Sequence, residues 1–172
     1  KLGAVGSALL LMAFASIGLT LWVTWQLEGG AAAVNEAGRM RMQTWRMAQT
    51  LARADAQQIA GLAAQFDQSV NVLRTGDPAR PLLVPHDALS QDAFAAVQRD
   101  WLELKARWTA LPGPGAELSG QQADAFVVRI DTFVSAIEHH LSRLTAILNA
   151  VQFVMVALTI GLFLTWGAIE VY

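Results

Sequence analysis

The sequence predicts an all-α protein, an antiparallel up-down-up-down four-helix bundle flanked by two transmembrane helices. Three observations carry this. Two long runs, Leu2–Leu27 and Leu144–Ile169, contain no charged residue. Between them, apolar residues recur at three- and four-residue spacing, the signature of a helix-packing seam. The alternating pattern of a half-buried strand is absent from the sequence.

Each run is long enough to cross a bilayer. A helix over Leu2–Leu27 measures about 39 Å, against a hydrocarbon core of about 30 Å. Trp22 and Trp25 fall near its end, where indoles favour the membrane interface. The second run, between Arg143 and Glu170, has Trp166 and Tyr172 near its far end. Two spans place both chain ends on one side, and Lys1 suggests that this side is the cytoplasm. The organisation read from this is 1–27 transmembrane helix 1, 28–143 sensor-sized extramembrane domain, 144–169 transmembrane helix 2 and 170–172 the start of a cytoplasmic part. The chain begins at Lys1 and is read as part of a longer protein.

In the extramembrane segment, Ile59, Leu62, Phe66, Val70 and Leu73 form one stripe. Phe94, Val97, Trp101, Leu104, Trp108 and Leu111 form a second. Phe126, Ile130, Phe133, Ile137, Leu141, Leu144 and Leu148 form a third that runs into the second span. Loops are marked by Gly76-Asp77-Pro78-Ala79-Arg80-Pro81 with Pro85, and by Pro112-Gly113-Pro114-Gly115. These leave three helical stretches, but a chain that returns to the membrane it left needs an even number of antiparallel helices. The longest stretch, about 28–75, must therefore fold back, and Arg53–Ala56 with Asp55 as N-cap is the place.

Composition agrees. The 172 residues are 54% hydrophobic and 15% charged, with mean hydropathy +0.37; soluble domains carry about 25% charged residues. A net charge of −2 argues against nucleic acid as a partner. The absence of cysteine excludes disulfides and thiolate metal sites within the sequence.

The stretch with chemistry is Asn35–Arg46, N-E-A-G-R-M-R-M-Q-T-W-R. On a helix, Gly38, Arg41 and Trp45 share a face with Val34 and Ala48, mostly small or apolar, where a charge needs a partner. Arg39, Arg46 and Arg53 form a separate stripe, because Arg39 lies about 200° around the helix from Arg41. A guanidinium presents planar, forked donors to a planar oxyanion. Gly38, one turn below, leaves room for a backbone or ligand. A surface arginine beside a helix-packing glycine is the alternative reading of the same spacing.

Asn35-x-Ala37-Gly38-x-x-Arg41-Met42-Gln43-x-x-Arg46 resembles the P-box of nitrate/nitrite sensor histidine kinases of the NarX/NarQ type, a module related to the N-terminal part of type IV pili methyl-accepting chemotaxis transducers. The resemblance implies a homodimer in the bacterial inner membrane with its sensor domain in the periplasm. Nitrate or nitrite would be held between two Arg41 side chains, with a backbone contact at Gly38. Asn35, Ala37, Met42, Gln43, Trp45 and Arg46 would support them. Output would pass to a response regulator through cytoplasmic domains beyond this sequence. Arg39, Glu36 and Trp45 depart from the family pattern. A chemotaxis transducer carrying the same module, and a membrane-anchored structural bundle without ligand, are the alternatives.

The remaining candidates are weaker. Adjacent His139 and His140 point about 100° apart and chelate poorly, so no metal site is expected. Asp131 and Glu138 are placed to pair with the Arg39/Arg46/Arg53 stripe. Counting up from the membrane puts Phe133 level with Arg41, so the fourth helix and its dimer mate would wall the site. Trp101 and Trp108 read as core. No cofactor is expected, and no catalytic residues stand out: the sequence carries no phosphate-binding glycine loop, nucleophile–base pair or kinase motif.

Overall fold

The computed structural model describes residues 2–53, 55–77, 81–110 and 116–171. They form four helices, α1 (Leu2–Ala52), α2 (Ala56–Thr75), α3 (Ala88–Thr109) and α4 (Ala116–Val171), with no β-strand among the described residues. The loop expected at Pro112–Gly115, with Leu111 before it, lies outside the described residues, as do Pro78, Ala79, Arg80 and Tyr172. The chain divides into two compact units, Lys1–Gln26 with Leu141–Tyr172, and Leu27–His140.

The first unit consists of the apolar ends of α1 and α4, and both helices are long and apolar enough to cross a membrane. Its large side chains point outward: Leu11, Phe14, Phe153 and Leu164 are each exposed. In water such a surface would form an apolar patch far beyond what soluble monomers tolerate. Its hydroxyls are satisfied locally. Thr20 donates to the Ser16 carbonyl at 2.8 Å and Thr159 to that of Met155 at 2.8 Å. This back-bonding lets a hydroxyl sit in an apolar environment without an orphaned donor. Between the helices the Gln152 amide donates to Thr20 Oγ1 at 3.4 Å.

The second unit holds α2, α3 and the remaining parts of α1 and α4 around one core. The aromatic stripes legible in the sequence fill it. Phe66 of α2 packs on Trp101 of α3, ring centroids 4.0 Å apart, and on Phe126 of α4 at 5.6 Å. Phe94 and Phe133 form a second pair at 5.3 Å. Burying each such ring contributes roughly 1.5–3 kcal/mol. The indole N–H groups find acceptors: Trp101 donates to Asp67 Oδ1 at 2.8 Å and Trp108 to Gln122 Oε1 at 2.9 Å. Both tryptophans are thus core residues with one polar handle each.

The turns have local causes. α1 ends at Ala52 and α2 begins at Ala56, so the helix breaks where the sequence placed the break, at Arg53–Ala56, of which Ala54 lies outside the described residues. Asp55 caps α2 by accepting from the Gln58 N–H at 3.0 Å. At its other end α2 stops on Gly76, whose φ is +80° and whose N–H donates to the Val72 carbonyl at 2.9 Å. The chain then continues through the buried Leu82, Val84 and Pro85. Leu83 N–H reaches the Gly29 carbonyl of α1 at 3.5 Å. A side chain at Gly29 would meet Leu83 Cγ at 3.0 Å, so glycine there lets the returning loop lie against α1.

Gly76→Ala places a Cβ in the left-handed region and 3.2 Å from the Leu82 carbonyl oxygen. With ψ at 174° this is backbone that glycine alone populates readily, so the change should destabilise the protein by about 1–3 kcal/mol, read as a lower thermal midpoint in detergent with helix content unchanged below it.

Candidate functional site

The run 35–46 lies wholly on α1, and the helix distributes its residues over three sides. One faces the core: Ala37 and Met40 are fully buried, in line with Ala33, Thr44 and Met47. The second carries Gly38, Arg41 and Trp45. The third carries Glu36, Arg39, Met42, Gln43 and Arg46, which line a groove against α2. Asn35 is exposed. The structure therefore does not gather the whole run into one site. Gly38 and Arg41 stay together; Gln43 and Arg46 belong elsewhere.

Arg41 has a partner inside its own chain. Its guanidinium Nη1 lies 2.7 Å from Asp131 Oδ1 of α4, with side-chain exposures of 40% and 47%. This corrects the pairing expected from the sequence, which assigned Asp131 to the Arg39/Arg46/Arg53 stripe. The reason is rotational. With Ala37, Met40 and Thr44 turned into the core, Arg41 falls on the edge of α1 next to α4, and Arg39 on the edge next to α2. Arg39 pairs instead with Glu36, three residues earlier, at 3.7 Å. Glu138 and Arg53 are exposed. At the height of Phe133, which is itself buried against Phe94, Asp131 is the α4 residue that faces Arg41.

Gly38 meets no obstacle within the chain. A Cβ there would have only Arg41 Nη2 near it, at 3.8 Å, an ordinary contact. No packing inside this chain requires glycine at that position. What glycine does is leave open space beside the guanidinium. Trp45, one turn on, is 40% exposed. On α4, Val128 lies one turn from Asp131 and is 63% exposed. The half-exposed ion pair thus sits in a strip with space on one side and apolar surface on the other.

A second ion pair was not legible in the sequence. His140 Nδ1 lies 3.0 Å from Asp87 Oδ1, and Asp87 also caps α3 by accepting from the Ser90 N–H at 3.1 Å. Burial pushes the Asp87 carboxyl up, but the Ser90 hydroxyl and N–H, with the charge on His140, outweigh it and hold the carboxyl below its ordinary value. His86 and His139 are exposed. An Asp one residue before a helical stripe was the available signal for the cap; its histidine partner is more than fifty residues away.

Two outcomes follow from these geometries. A double-mutant cycle with Arg41→Ala and Asp131→Ala should give a coupling of about 0.2–1 kcal/mol, because both side chains are close to half-exposed. Both variants should fold, with unchanged circular dichroism. For Asp87, a folded carboxyl below the ordinary 3.8 stabilises the protein above that pH and loses its contribution as pH falls through the lowered value. Acid unfolding below about pH 4 should therefore be less steep in Asp87→Asn, while Asp87→Ala, which also loses the cap, should cost about 1 kcal/mol at neutral pH.

No curated protein sequence matches the chain. A family match covers residues 22–127, from Trp22 in α1 through α2 and α3 into the Phe126 turn of α4, and includes Gly38 and Arg41. The likeness is to the transducer module rather than to the nitrate sensor kinases. Matched over more than half of its length, the chain belongs to the family described as PilJ: Type IV pili methyl-accepting chemotaxis transducer N-term.

Proposed function

We propose that this chain is the membrane-anchored sensory input module of a chemotaxis-type transducer. The observation that carries the reading is the family match over 22–127, joined to two helices long and apolar enough to cross a membrane. In this proposal the unit Leu27–His140 is an up-down-up-down bundle that lies in the periplasm of a bacterial inner membrane, and lipid covers the exposed apolar side chains of the other unit. Two copies pair through the Gly38–Arg41–Trp45 strip. A small planar anion, nitrate or nitrite by the resemblance of the Asn35–Arg46 run, binds between the two Arg41 side chains.

The Arg41–Asp131 pair refines the mechanism. Arg41 is not a bare cation awaiting an anion; an incoming anion competes with Asp131 for the same guanidinium. Binding would release a carboxylate on α4 from α1 and so favour a different packing of these two helices. Because α1 and α4 each include one apolar span, a displacement of one against the other is the route to a cytoplasmic output. A histidine kinase would use the same input. A covalently joined output region would separate the two: a long uninterrupted heptad coil for a transducer, a phospho-acceptor histidine segment and ATP-binding domain for a kinase.

Thermal stability of the chain in lipid nanodiscs, titrated with nitrate, nitrite, chloride and sulfate, tests the ligand. Selective stabilisation by nitrate or nitrite, about 2.7 kcal/mol at a hundredfold excess over Kd, should vanish in Arg41→Ala. Asp131→Asn, which removes the internal competitor, should tighten binding by up to about fivefold. The absence of any selective shift in dimeric protein would overturn the anion reading and leave the transducer assignment resting on the family.

A further inference from the structure

The groove between α1 and α2 is a separate feature from the Arg41 strip. It has a volume of about 510 Å³ and is bounded by Glu36, Arg39, Gln43 and Arg46 of α1, by Gln68 of α2, and by Asp77 beyond the end of α2. The α1 residues follow at three- and four-residue steps, so one stripe of the helix supplies them all. That volume falls within the usual range of small-molecule sites, about 300–1,000 Å³.

Two of its groups point to a ligand. Gln43 is only 5% exposed, yet its Oε1 is buried and accepts no hydrogen bond. A buried acceptor left without a donor is costly, and native structures keep few of them. One turn on, Arg46 forms no ion pair among the described residues, although it shares the groove with carboxylates. The groove thus holds an acceptor that lacks a donor and a cation that lacks an anion, one helical turn apart.

From this juxtaposition we infer that the groove binds a small zwitterion of the α-amino acid type. The ligand carboxylate meets the Arg46 guanidinium, with Arg39 beside it. The ligand ammonium donates to Gln43 Oε1, on the side of the stripe that leads to Glu36. The charge pattern selects against simpler ligands. A lone anion would meet the carboxylates of Glu36 and Asp77, and a lone cation would meet two arginines. A molecule carrying both signs on substituents of one carbon satisfies both groups at once. Gln68 on the opposite wall favours a polar side chain on the ligand.

The test is thermal stability and isothermal titration of the full chain in nanodiscs. The probes are L-glutamine, L-glutamate, L-arginine and glycine, together with analogues lacking either the carboxylate or the ammonium, and potassium nitrate. At least one polar L-amino acid should bind and raise the midpoint, and neither of its single-charge analogues should match it. Arg46→Ala and Gln43→Met should each weaken binding by about tenfold or more. Arg46 is exposed, and methionine fills the Gln43 site while removing the unpaired acceptor, so both variants keep the fold; circular dichroism checks this. Three results would overturn the inference: no amino acid of the panel binding to folded protein, binding that survives both variants, or nitrate or the ammonium-free analogue binding this groove as tightly as the amino acid.

Discussion

The core of the Leu27–His140 unit holds a cluster of aromatic rings together with one face of α1, made of Ala33, Ala37, Met40, Thr44 and Met47, all buried. Phe66, Phe94, Trp101, Phe126 and Phe133 come from the other three helices and are all buried. A large residue at Ala33 or Ala37, each with no exposed surface, would compete with them for volume that is already filled. The rotation of α1 in this unit is therefore set by burial of that face, and Arg39, Arg41, Gln43 and Arg46 take their positions from it.

With the small face turned inward, the charged residues of α1 must divide between its two flanks. On the flank next to α4, Arg41 meets Asp131 beside the space left by Gly38. On the flank next to α2, Arg39 turns back to Glu36, while Gln43 and Arg46 line a groove. A run that reads as one motif is thus split into two environments. The first is open and half-charged, suited to an assembly or ligand that approaches from outside the chain. The second is enclosed between helices and holds an acceptor without a donor. Neither contributes much to stability, since solvated ion pairs are weak and a buried unpaired oxygen is a cost. Groups retained against stability invite a functional account.

The connection between α2 and α3 works in a different way. Its described part buries Leu82, Val84 and Pro85 and is held besides at single points: the left-handed Gly76, the approach of Leu83 to Gly29, and Asp87, which caps α3 and pairs with His140. One short acidic side chain there joins the start of one helix to another helix far away in sequence. In the other unit the polar groups are few, and hydroxyls of Thr20 and Thr159 bond to carbonyls of their own helix, an arrangement compatible with an apolar surrounding.

The sequence by itself determined the helices, the two apolar spans, the aromatic stripes and the helix break at Asp55. The helices, spans and stripes follow from local chemistry, charge-free length and three-four spacing, while the break at Asp55 rested on the parity expected of a chain with two spans, with a capping carboxylate to mark it. It also showed that Arg41 and Arg39 occupy different faces of α1. Only the tertiary structure decided which neighbour each face meets. Periodicity tells which residues lie together on a helix, but the direction in which that face points depends on packing by the other helices. The inward face of α1 is built from Ala, Met and Thr, whose hydrophobic signal is too weak to stand out against the alanine-rich helix around it. For the same reason Asp131 was legible as a partner for arginine, but not for which arginine, and the unpaired Gln43 emerged only once α2 had been laid against it.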